Sequence, residues 1–495
     1  MPKHPQNQRV SVLERTGWEE NEMASLRLGD VRLEKRVKKM LRDFGGQPEA
    51  SIPRASGDWA ATKAAYRCLG QERVEGGAVL AAHREASLGR GQGAPVLLAV
   101  QDTTTLNFST HRQTEGLGPV GNNRDKTIGL LLHSTLLLRE DGPALGVLAA
   151  EFLARDPKAF KAGPAGARNR KGLPEKESAK WLHSLEATQA AARTLAGSVL
   201  INIADREADI YELFWHHAQW RAREGAAGGA ARVELLIRSQ HNRVVEGAEK
   251  ALWAHLAAQP RLAIYAFTAP RPPGEKARAV CLSLRCAPVR LPPPPDQVKY
   301  QGHEETLALW ALEAREENPP TGRAPICWRL LSTLPVGDAA TARAQVQRYS
   351  QRWQIEVFHK VLKSGCRIEE RQLETVERLQ RCLTLDLIVA WRVLALSKAA
   401  RDAAAQAAPE PVSQWLEEHQ WKALWCHRHR QTIPPASPPS TQEAQRWIAQ
   451  LGGFLARKSD GHPGPMTLWR GLQRLNDITE AYLLFTQSSK DMGNA

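Results

Sequence analysis

The segment from Tyr349 to Lys363, YSQRWQIEVFHKVLK, combines reactive side chains with a spacing that brings them together. It contains neither Gly nor Pro, so it predicts one continuous helix. At about 100° per residue, an arc of about 60° holds the polar groups Tyr349, Arg352, Glu356 and Lys363, with Lys360 at its edge. A carboxylate among cationic and phenolic groups could bind a cation beside a phosphate. A solvated face with i,i+4 ion pairs is the ordinary alternative.

Two further carboxylates follow short apolar runs. Asp102 follows the run 96–100 and stands in Gln-Asp-Thr-Thr-Thr, whereas Asp205 follows the run 199–204 and opens Asp-Arg-Glu-Ala-Asp. Such runs predict buried strands whose ends deliver both carboxylates to one site. For either aspartate alone, a helix N-cap or a turn is the ordinary alternative.

Three carboxylates are enough to hold hard divalent cations such as Mg²⁺, which keep water and phosphate oxygens as further ligands. Two such ions about 4 Å apart assist an in-line displacement at phosphorus. Glycoside hydrolysis also uses paired carboxylates. The cations around Glu356 and the net charge of +14 favour a phosphate substrate over a sugar.

The motif Tyr349-x2-Arg352-x3-Glu356-x6-Lys363, together with Asp205-Arg-Glu-Ala-Asp, resembles the DDE transposases of bacterial insertion sequences, in the insertion-sequence-4-like family. The likeness extends from about residue 28 to residue 469, and no acidic position of the motif is lost. It implies a cut-and-paste transposase that binds terminal inverted repeats and cleaves the element ends by hydrolysis and transesterification through a hairpin. The freed 3′-OH ends are then joined to target DNA.

The resemblance also implies roles for individual residues. Asp102 would bridge two Mg²⁺ ions while Asp205 and Glu356 hold one each, and Mn²⁺ would substitute. The DNA contacts near the scissile bond would come from Tyr349, Arg352, Lys360, Lys363, Arg206 and Arg238. Trp328 stands where the family stacks an indole on a base flipped out of the DNA end. For a lone Trp on a strand, packing in the core is the ordinary alternative.

Composition sets outer limits on the protein. A chain of 495 residues exceeds one ordinary core, so two or three domains are expected. The net charge of +14 and the pI near 9.6 favour DNA as a partner. The seven cysteines are scattered without a CxxC pair, which suits a reducing compartment. The chain shows no apolar run approaching 18 residues, so we expect a cytoplasmic protein without membrane contact, associated with the nucleoid when it acts.

The N-terminal part predicts basic helices. The segment 28–40 predicts a helix with Asp30 as its N-cap. Its residues Arg32 and Arg36 are predicted to contact DNA. A solvated cationic face is the alternative. A second helix over 58–67 would complete a DNA-binding domain.

The middle of the chain predicts a mixed α/β fold. Strands over 96–101, 130–138 and 145–152, a helix over 177–195 and a strand over 199–204 follow the order of a ribonuclease-H-like core. We predict such a catalytic core with a β-rich insertion, a helical N-terminal DNA-binding domain and a helical C-terminal domain. The predicted boundaries are 1–75 for DNA binding, 76–238 and 326–400 for the core, 239–325 for the insertion and 401–495 for dimerisation.

The segment 442–484 carries more apolar surface than so few residues can bury alone. It must dock on the catalytic domain or on a second subunit, and the resemblance favours a homodimer that holds two DNA ends. Two other functions stay open: a ribonuclease-H-like nuclease without strand transfer, and a DNA-binding inhibitor that has lost catalysis. The intact acidic and basic positions count against the inhibitor.

Overall fold

The computed structural model describes residues 17–121, 127–157, 173, 176–247, 251–269, 278–294, 306–403, 411–457 and 460–492. The protein is a mixed α/β structure in which one large sheet is covered by helices on both faces. Within these ranges, no helix is long and apolar enough to cross a membrane.

The described residues begin with a group of helices. These are α1 (Trp18–Glu22), α2 (Val31–Gly46), α3 (Ile52–Ser56), α4 (Trp59–Leu69) and α5 (Gly76–Gly91). The predicted cap of α2 is confirmed, because the Asp30 carboxylate accepts a hydrogen bond of 2.8 Å from the Arg32 backbone N–H. Asp58 caps α4 in the same way, with 2.7 Å to the N–H of Ala61.

The described residues contain a ten-stranded sheet. Its strands are β1 (Val96–Asn107), β2 (Gly118–Pro119), β3 (Ile128–Arg139), β4 (Ala144–Leu153), β5 (Val199–Ala204), β6 (Arg232–Arg238), β7 (Ala263–Ala269), β8 (Arg278–Leu291), β9 (Leu307–Glu316) and β10 (Cys327–Ser332). They are ordered β2-β3-β1-β5-β6-β10-β9-β8-β7, and β4 also pairs with β3. The pairs β1–β5 and β5–β6 are parallel, whereas the other pairs are antiparallel.

Both faces of the central strands are buried, which explains their nearly continuous apolar runs. Leu98 and Val100 of β1 pack in one hydrophobic cluster, and Leu97 and Ala99 pack in the other. The second cluster includes α6 (Ala179–Thr194), α7 (Tyr211–Ala226) and α8 (Leu252–Ala257). The first includes the N-terminal helices and the helices that follow β10.

The predicted end of the first strand at residue 101 was wrong. β1 continues through Asp102 to Asn107, because residues 102–107 keep pairing with β3 after β5 has ended. Asp102 therefore projects from the middle of a strand rather than following its end.

The predicted insertion is rich in β-structure, but its strands do not form a sheet of their own. β9 pairs with β10, so β7, β8 and β9 extend the central sheet beyond β6. Alternating apolar residues indicated strands in this segment, and β7, β8 and β9 pair with one another in chain order. The pairing of β9 with β10, which lies outside the segment, had no signal in the local pattern.

The prediction of one continuous helix over 349–363 was also wrong. The segment contains the end of α9 (Ala339–Ser350), a turn at 351–352, α10 (Trp353–Lys360) and a π-helical turn over Val361–Gly365. The predicted apolar face does pack, since Ile355, Phe358 and Leu362 are fully buried. π-helical turns of this kind often mark functional sites.

From residue 376 onward, the described residues form four α-helices, α11 (Val376–Ala403), α12 (Glu418–His429), α13 (Thr441–Leu451) and α14 (Pro465–Met492). α13 packs on α11, and α14 packs on α11, α12 and α13. Ile448, Leu468 and Trp469 are buried in these contacts. Much of the apolar surface of the segment 442–484 is thus covered within the same chain.

Candidate active site

Three acidic side chains from distant parts of the chain meet beside the C-terminal end of β5. Asp102 lies in β1, Asp205 directly follows β5, and Glu356 lies in the first turn of α10. β1 and β5 run in parallel with Val100 opposite Ile203, so the same register continued by two residues brings Asp102 beside Asp205. α10 packs on β1 and β3 and carries Glu356 to the same place. The carboxylates of Asp102, Asp205 and Glu356 are each partly exposed.

The guanidinium of Arg352 lies among these three carboxylates. Its Nη1 donates a hydrogen bond of 2.9 Å to Asp102 Oδ2, and its Nη2 lies 3.8 Å from Asp205 Oδ2. Nη2 also forms a close ion pair with Glu356 Oε1. The Asp205 carboxylate has a second cation nearby, with its Oδ1 3.9 Å from Nη1 of Arg238.

Burial and charge act in opposite directions on these groups. Burial raises the pKa of the Asp102 carboxyl, although Arg352 and the N–H of Thr103 lower it, and the charge of Asp205 adds to the rise. Burial also disfavours the charged form of Arg352, but Tyr349 and the carboxylates outweigh it and raise the pKa of the guanidinium. The site therefore holds a permanent cation that is strongly bound by its acidic neighbours.

The donor set fits hard divalent cations, which prefer carboxylate oxygens and accept water as a further ligand. Three carboxylates within 4 Å of one guanidinium are close enough together to serve one centre after small side-chain movements. In their present positions, the described residues include no group of three His, Cys, Asp or Glu side chains that could hold a metal. Asp102 faces Nη1 of Arg352, whereas Asp205 and Glu356 both face Nη2, so the guanidinium lies between Asp102 and the other two carboxylates.

Tyr349 and Trp328 line one side of the site. Tyr349 lies in the last turn of α9 and is buried, and its pKa is raised to about 12 by burial and by the charge of Asp205. Its hydroxyl makes no hydrogen bond of normal geometry among the described residues, although Arg238 lies beside it. The Trp328 indole is partly exposed, meets the Tyr349 ring edge-on at 5.5 Å and stacks on Phe267 at 6.1 Å.

The other predicted DNA contacts near the site occupy its rim. Lys360 is exposed one turn after Glu356, and the side chain of Arg206 is exposed next to Asp205. Lys363 lies in the π-helical turn, where its Nζ is 3.8 Å from Glu369 Oε1. Glu369 in turn accepts a hydrogen bond of 2.7 Å from the backbone N–H of Asn107, at the end of β1.

Arg32 and Arg36 belong to another surface. Both lie on α2, where Arg32 is exposed and Arg36 is half-buried, and in the described part of the chain neither forms an ion pair with the three carboxylates. Two other basic residues of α2 are already neutralised, because Lys38 pairs with Glu20 at 2.6 Å and Lys39 pairs with Asp43 at 2.7 Å.

A chain of buried polar groups supports Asp102 from the opposite face of β1. Thr103 Oγ1 lies 3.0 Å from His133 Nδ1, and His133 Nε2 lies 3.0 Å from Gln101 Oε1. Gln101 then donates to Asn202, whose Nδ2 donates to Thr188 Oγ1 at 2.9 Å. His133 Nε2 donates to the amide oxygen of Gln101, and in the neutral ring Nδ1 accepts from the Thr103 hydroxyl. Burial and the charge of nearby Lys180 favour the neutral ring, because they lower the pKa of His133 to about 3.

A second buried histidine fixes α10 over the sheet. Ser134 is the cross-strand partner of Asp102, and its Oγ lies 2.8 Å from Nε2 of His359. Because His359 follows Glu356 by less than one turn, this contact holds Glu356 opposite Asp102. Burial and the charges of Lys363 and Arg352 lower the pKa of His359 to about 3.

These supporting residues were not predicted from the sequence. A signal was present, because Gln101, Thr103 and Asn202 interrupt otherwise apolar strands, and buried polar groups must find partners. Trp353, which is 58% exposed directly beside Arg352, was likewise not predicted to have a role.

Comparison with known protein families gives three matches along the chain. Residues 15–74 match the family described as Transposase DNA-binding. Residues 168–391 match Transposase DDE domain, and this match contains Asp205 and Glu356. Residues 388–491 match Transposase Tn5 dimerisation domain. The three matches follow the order of a basic helical group, a carboxylate site on a sheet and a C-terminal helical group.

Proposed function

Because the chain belongs to the DDE transposases and carries a dimerisation domain of the Tn5 type, we propose that it moves its element by a cut-and-paste route. It is a DNA endonuclease and strand transferase that works with DNA and with a second copy of itself. In the proposed route it binds the terminal inverted repeats, frees both element ends and joins their 3′-OH groups to target DNA.

The convergence of Asp102, Asp205 and Glu356 on one guanidinium carries this proposal. The sheet order around the site supports a ribonuclease-H-like core, since antiparallel β4, β3 and β1 are followed by β5 and β6 parallel to β1. The proposed division into domains keeps 1–75, 76–238, 239–325, 326–400 and 401–495, with the insertion sharing the sheet of the core.

We propose Mg²⁺ as the cofactor, with Mn²⁺ as a substitute. Asp102 would be shared between two ions, and Asp205 and Glu356 would hold one each. When bound, the ions would activate the attacking oxygen and stabilise the leaving one. The chain's own contribution is to keep the three carboxylates in place, through the β1–β5 register and through the contact between Ser134 and His359.

The cationic groups around the carboxylates would hold the DNA backbone. Arg352 has the planar fork that binds a phosphate with two hydrogen bonds, and Lys360, Lys363 and Arg206 offer charges at the rim. Arg238 and the Tyr349 hydroxyl would bind a phosphate on the β10 side. On the N-terminal helices, Arg32 and Arg36 would bind the repeat farther from the cut.

The proposed reaction runs through a hairpin. Water attacks the phosphodiester at the element end and releases a 3′-OH, which attacks the opposite strand and displaces the flanking DNA. Hydrolysis of the hairpin restores the 3′-OH, which then attacks the target strand. The Trp328 indole would stack on a base extruded at the hairpin turn, because it is partly exposed and lies against Tyr349 at the site.

The proposed assembly is a homodimer in which each active site cuts the end gripped by its partner. The match over 388–491 supports a dimer, whereas the trans arrangement is the proposal. Such an arrangement makes cleavage wait for the pairing of two ends.

The test is a cleavage and joining assay on duplexes that carry the DNA flanking the coding sequence. Nicked, hairpinned and joined products are expected with wild-type protein and Mg²⁺, and Glu356→Gln should form none of them. Nicks without joined products would instead support the nuclease. Binding without any cleavage by the wild-type protein would support the inhibitor.

A further inference from the structure

The position of Arg352 raises a question that its proposed phosphate contact does not answer. Its side chain is 10% exposed and pairs with all three carboxylates. In this structure its charge is therefore directed at the acidic residues and not outward, where a DNA phosphate would approach. Divalent cations held by the same carboxylates would be within a few ångströms of this guanidinium. Two centres of positive charge at that distance repel each other strongly.

We propose that Arg352 is a built-in counter-ion of the three carboxylates. Divalent cations displace its guanidinium, which then binds a DNA phosphate. This inference rests on the proposed metal-binding role of the three carboxylates. In the absence of metal, the guanidinium relieves the repulsion among Asp102, Asp205 and Glu356. When metal binds, the same side chain becomes available for the phosphate beside the scissile bond.

The backbone at Arg352 is suited to such an exchange. Arg352 lies in the turn between α9 and α10 and is the N-cap residue of α10. The backbone N–H of Arg352 donates to Tyr349 O at 3.0 Å, and the N–H of Ile355 donates to Arg352 O at 3.1 Å. These bonds do not involve the side chain, so the guanidinium can leave the carboxylates without unwinding either helix.

The helix itself does not favour a cation at this position. The N-terminus of an α-helix carries partial positive charge and prefers acidic side chains. The attraction that holds Arg352 inward therefore comes from the carboxylates. Once their charge is neutralised by metal, a phosphate is the better partner for the guanidinium.

The exchange predicts that metal binding and DNA binding assist each other. In free protein, a metal must compete with Arg352 for the carboxylates, whereas a bound phosphate draws Arg352 away and removes the competition. Since coupling between two ligands is reciprocal, DNA should raise the affinity for metal by the same factor by which metal raises the affinity for DNA.

The experiment measures Mn²⁺ binding to the full-length protein by the electron paramagnetic resonance of free Mn²⁺, with and without a duplex of the element end. The variants are Arg352→Met, which keeps an unbranched apolar stem but removes the guanidinium, and Arg352→Lys, which keeps one charge but cannot contact three carboxylates. Arg348→Met is the matched control, because Arg348 pairs with Glu140 at 2.7 Å one turn earlier on α9. Asp102→Asn reports whether the bound Mn²⁺ depends on the carboxylates.

Without DNA, Arg352→Met should bind Mn²⁺ about tenfold more tightly than the wild type, and Arg352→Lys should fall between them. In EDTA the thermal midpoint of Arg352→Met should lie below that of the wild type, and Mn²⁺ should raise the midpoint of the variant by more than it raises that of the wild type. DNA should tighten Mn²⁺ binding to the wild type and to Arg348→Met, and should change it little in Arg352→Met. If Arg352→Met does not fold, Arg352→Lys decides the outcome by the same readouts.

Two failures can be told apart. Carboxylate-dependent Mn²⁺ binding that is unchanged in both Arg352 variants would overturn the counter-ion role and leave the metal site intact. Wild-type protein whose Mn²⁺ binding is absent or insensitive to Asp102→Asn would overturn the metal site and the counter-ion together.

Discussion

Nη1 of Arg352 lies 2.9 Å from Oδ2 of Asp102, which joins two residues that are 250 positions apart in the chain. The contact ties the start of α10 to the middle of β1, where Asp205 and Glu356 share the same guanidinium. We expect catalysis and DNA binding to be separable at this site, because the carboxylates are the proposed metal ligands, whereas affinity for DNA comes mainly from cations.

Replacing one acidic residue should therefore abolish cleavage and preserve binding. Asp102→Ala, Asp205→Ala and Glu356→Ala should each lower the rate of nicking by more than about a hundredfold. Binding to the element end should stay within about twofold of the wild type. A gel shift and a cleavage assay on the same duplex measure both quantities. Nicking near the wild-type rate in any of the three variants would remove that residue from the metal site.

Trp328→Ala should separate the first nick from the hairpin step. Stacking on an extruded base contributes about 1–3 kcal/mol, so hairpin formation should fall about tenfold or more while the first nick stays nearly normal. Trp328→Phe should restore part of the hairpin, because an aromatic face remains against Tyr349 and Phe267. Products are resolved on a denaturing gel. An equal loss of nicking and hairpin formation would make Trp328 a packing residue.

His133 should make the stability of the protein depend on pH. Its pKa falls from an ordinary 6.5 to about 3 on folding, because it is buried and lies near Lys180. Between these values the unfolded chain binds a proton that the folded chain does not, so the free energy of unfolding should decrease as pH falls from about 6.5 towards 3. One such group contributes a slope of at most about 1.4 kcal/mol per pH unit.

Denaturant titrations of the wild type and of His133→Gln at several pH values test this. The variant should show the shallower loss of stability at acidic pH. The exposed His183, which lies 2.9 Å from Glu151, provides the control substitution His183→Gln, and its pH dependence should follow the wild type. Parallel curves for the wild type and His133→Gln would mean that His133 does not contribute.

The buried pair Arg371–Asp386 should be essential for stability. Nη2 of Arg371 lies 2.6 Å from Asp386 Oδ1, and its Nη1 donates to Ala50 O at 2.6 Å, so the pair links α11 to the N-terminal helices. Arg371→Met leaves a buried carboxylate without its cation and should lower the free energy of unfolding by about 3–5 kcal/mol. Arg371→Met combined with Asp386→Leu should recover most of this loss.

Chemical denaturation of the single and double variants measures their free energies of unfolding. Breaking the more exposed pair of Arg378 and Glu374 by Arg378→Met should cost less than about 1 kcal/mol. If Arg371→Met cost no more than this control, the buried pair would have no special importance.

Cleavage in trans can be tested by mixing two inactive proteins. One carries Glu356→Gln, and the other carries Arg32→Ala with Arg36→Ala, which should weaken its grip on the DNA end. In the mixed dimer, the subunit with the intact active site would cut the DNA end bound by Arg32 and Arg36 of the other subunit. The mixture should therefore cleave although neither protein does so alone. Failure of the mixture, with both homodimers well folded, would contradict cutting in trans.

Deleting the chain from residue 442 would be a poor test of the dimer. α13 packs on α11, and Ile448 and Trp469 are buried with it, so the deletion would expose the core as well as any subunit contact. The segment 442–484 was predicted to dock on the catalytic domain or on a second subunit, and contacts within the same chain bury much of its apolar surface.

Much of the architecture could be predicted from local sequence. The strand over 199–204, the caps at Asp30 and Asp58 and the helical C-terminus all follow from patterns within a few residues. Hydrophobic period, N-cap chemistry and the lack of Gly or Pro act over short distances, so the sequence displays them directly.

Other features depend on contacts between distant segments. β1 continues past Asp102 because β3 pairs with residues 102–107, and β7, β8 and β9 join the central sheet through β10. The helix over 349–363 is broken at the turn that carries Arg352. Local propensity in these segments does not indicate which distant segment they pair with or pack on, and those contacts determine their conformation.

The sequence by itself determined which residues are the candidates for the chemistry: the motif around Arg352 and Glu356, and the two aspartates at 102 and 205. Only the tertiary structure decided what surrounds them. It directs Arg352 at the carboxylates, places the neutral His133 behind Asp102 and fixes α10 through Ser134 and His359. The physical reason is that motif spacing reflects chemistry along one segment, whereas charge balance and buried hydrogen bonds are settled between segments that meet only in the folded chain.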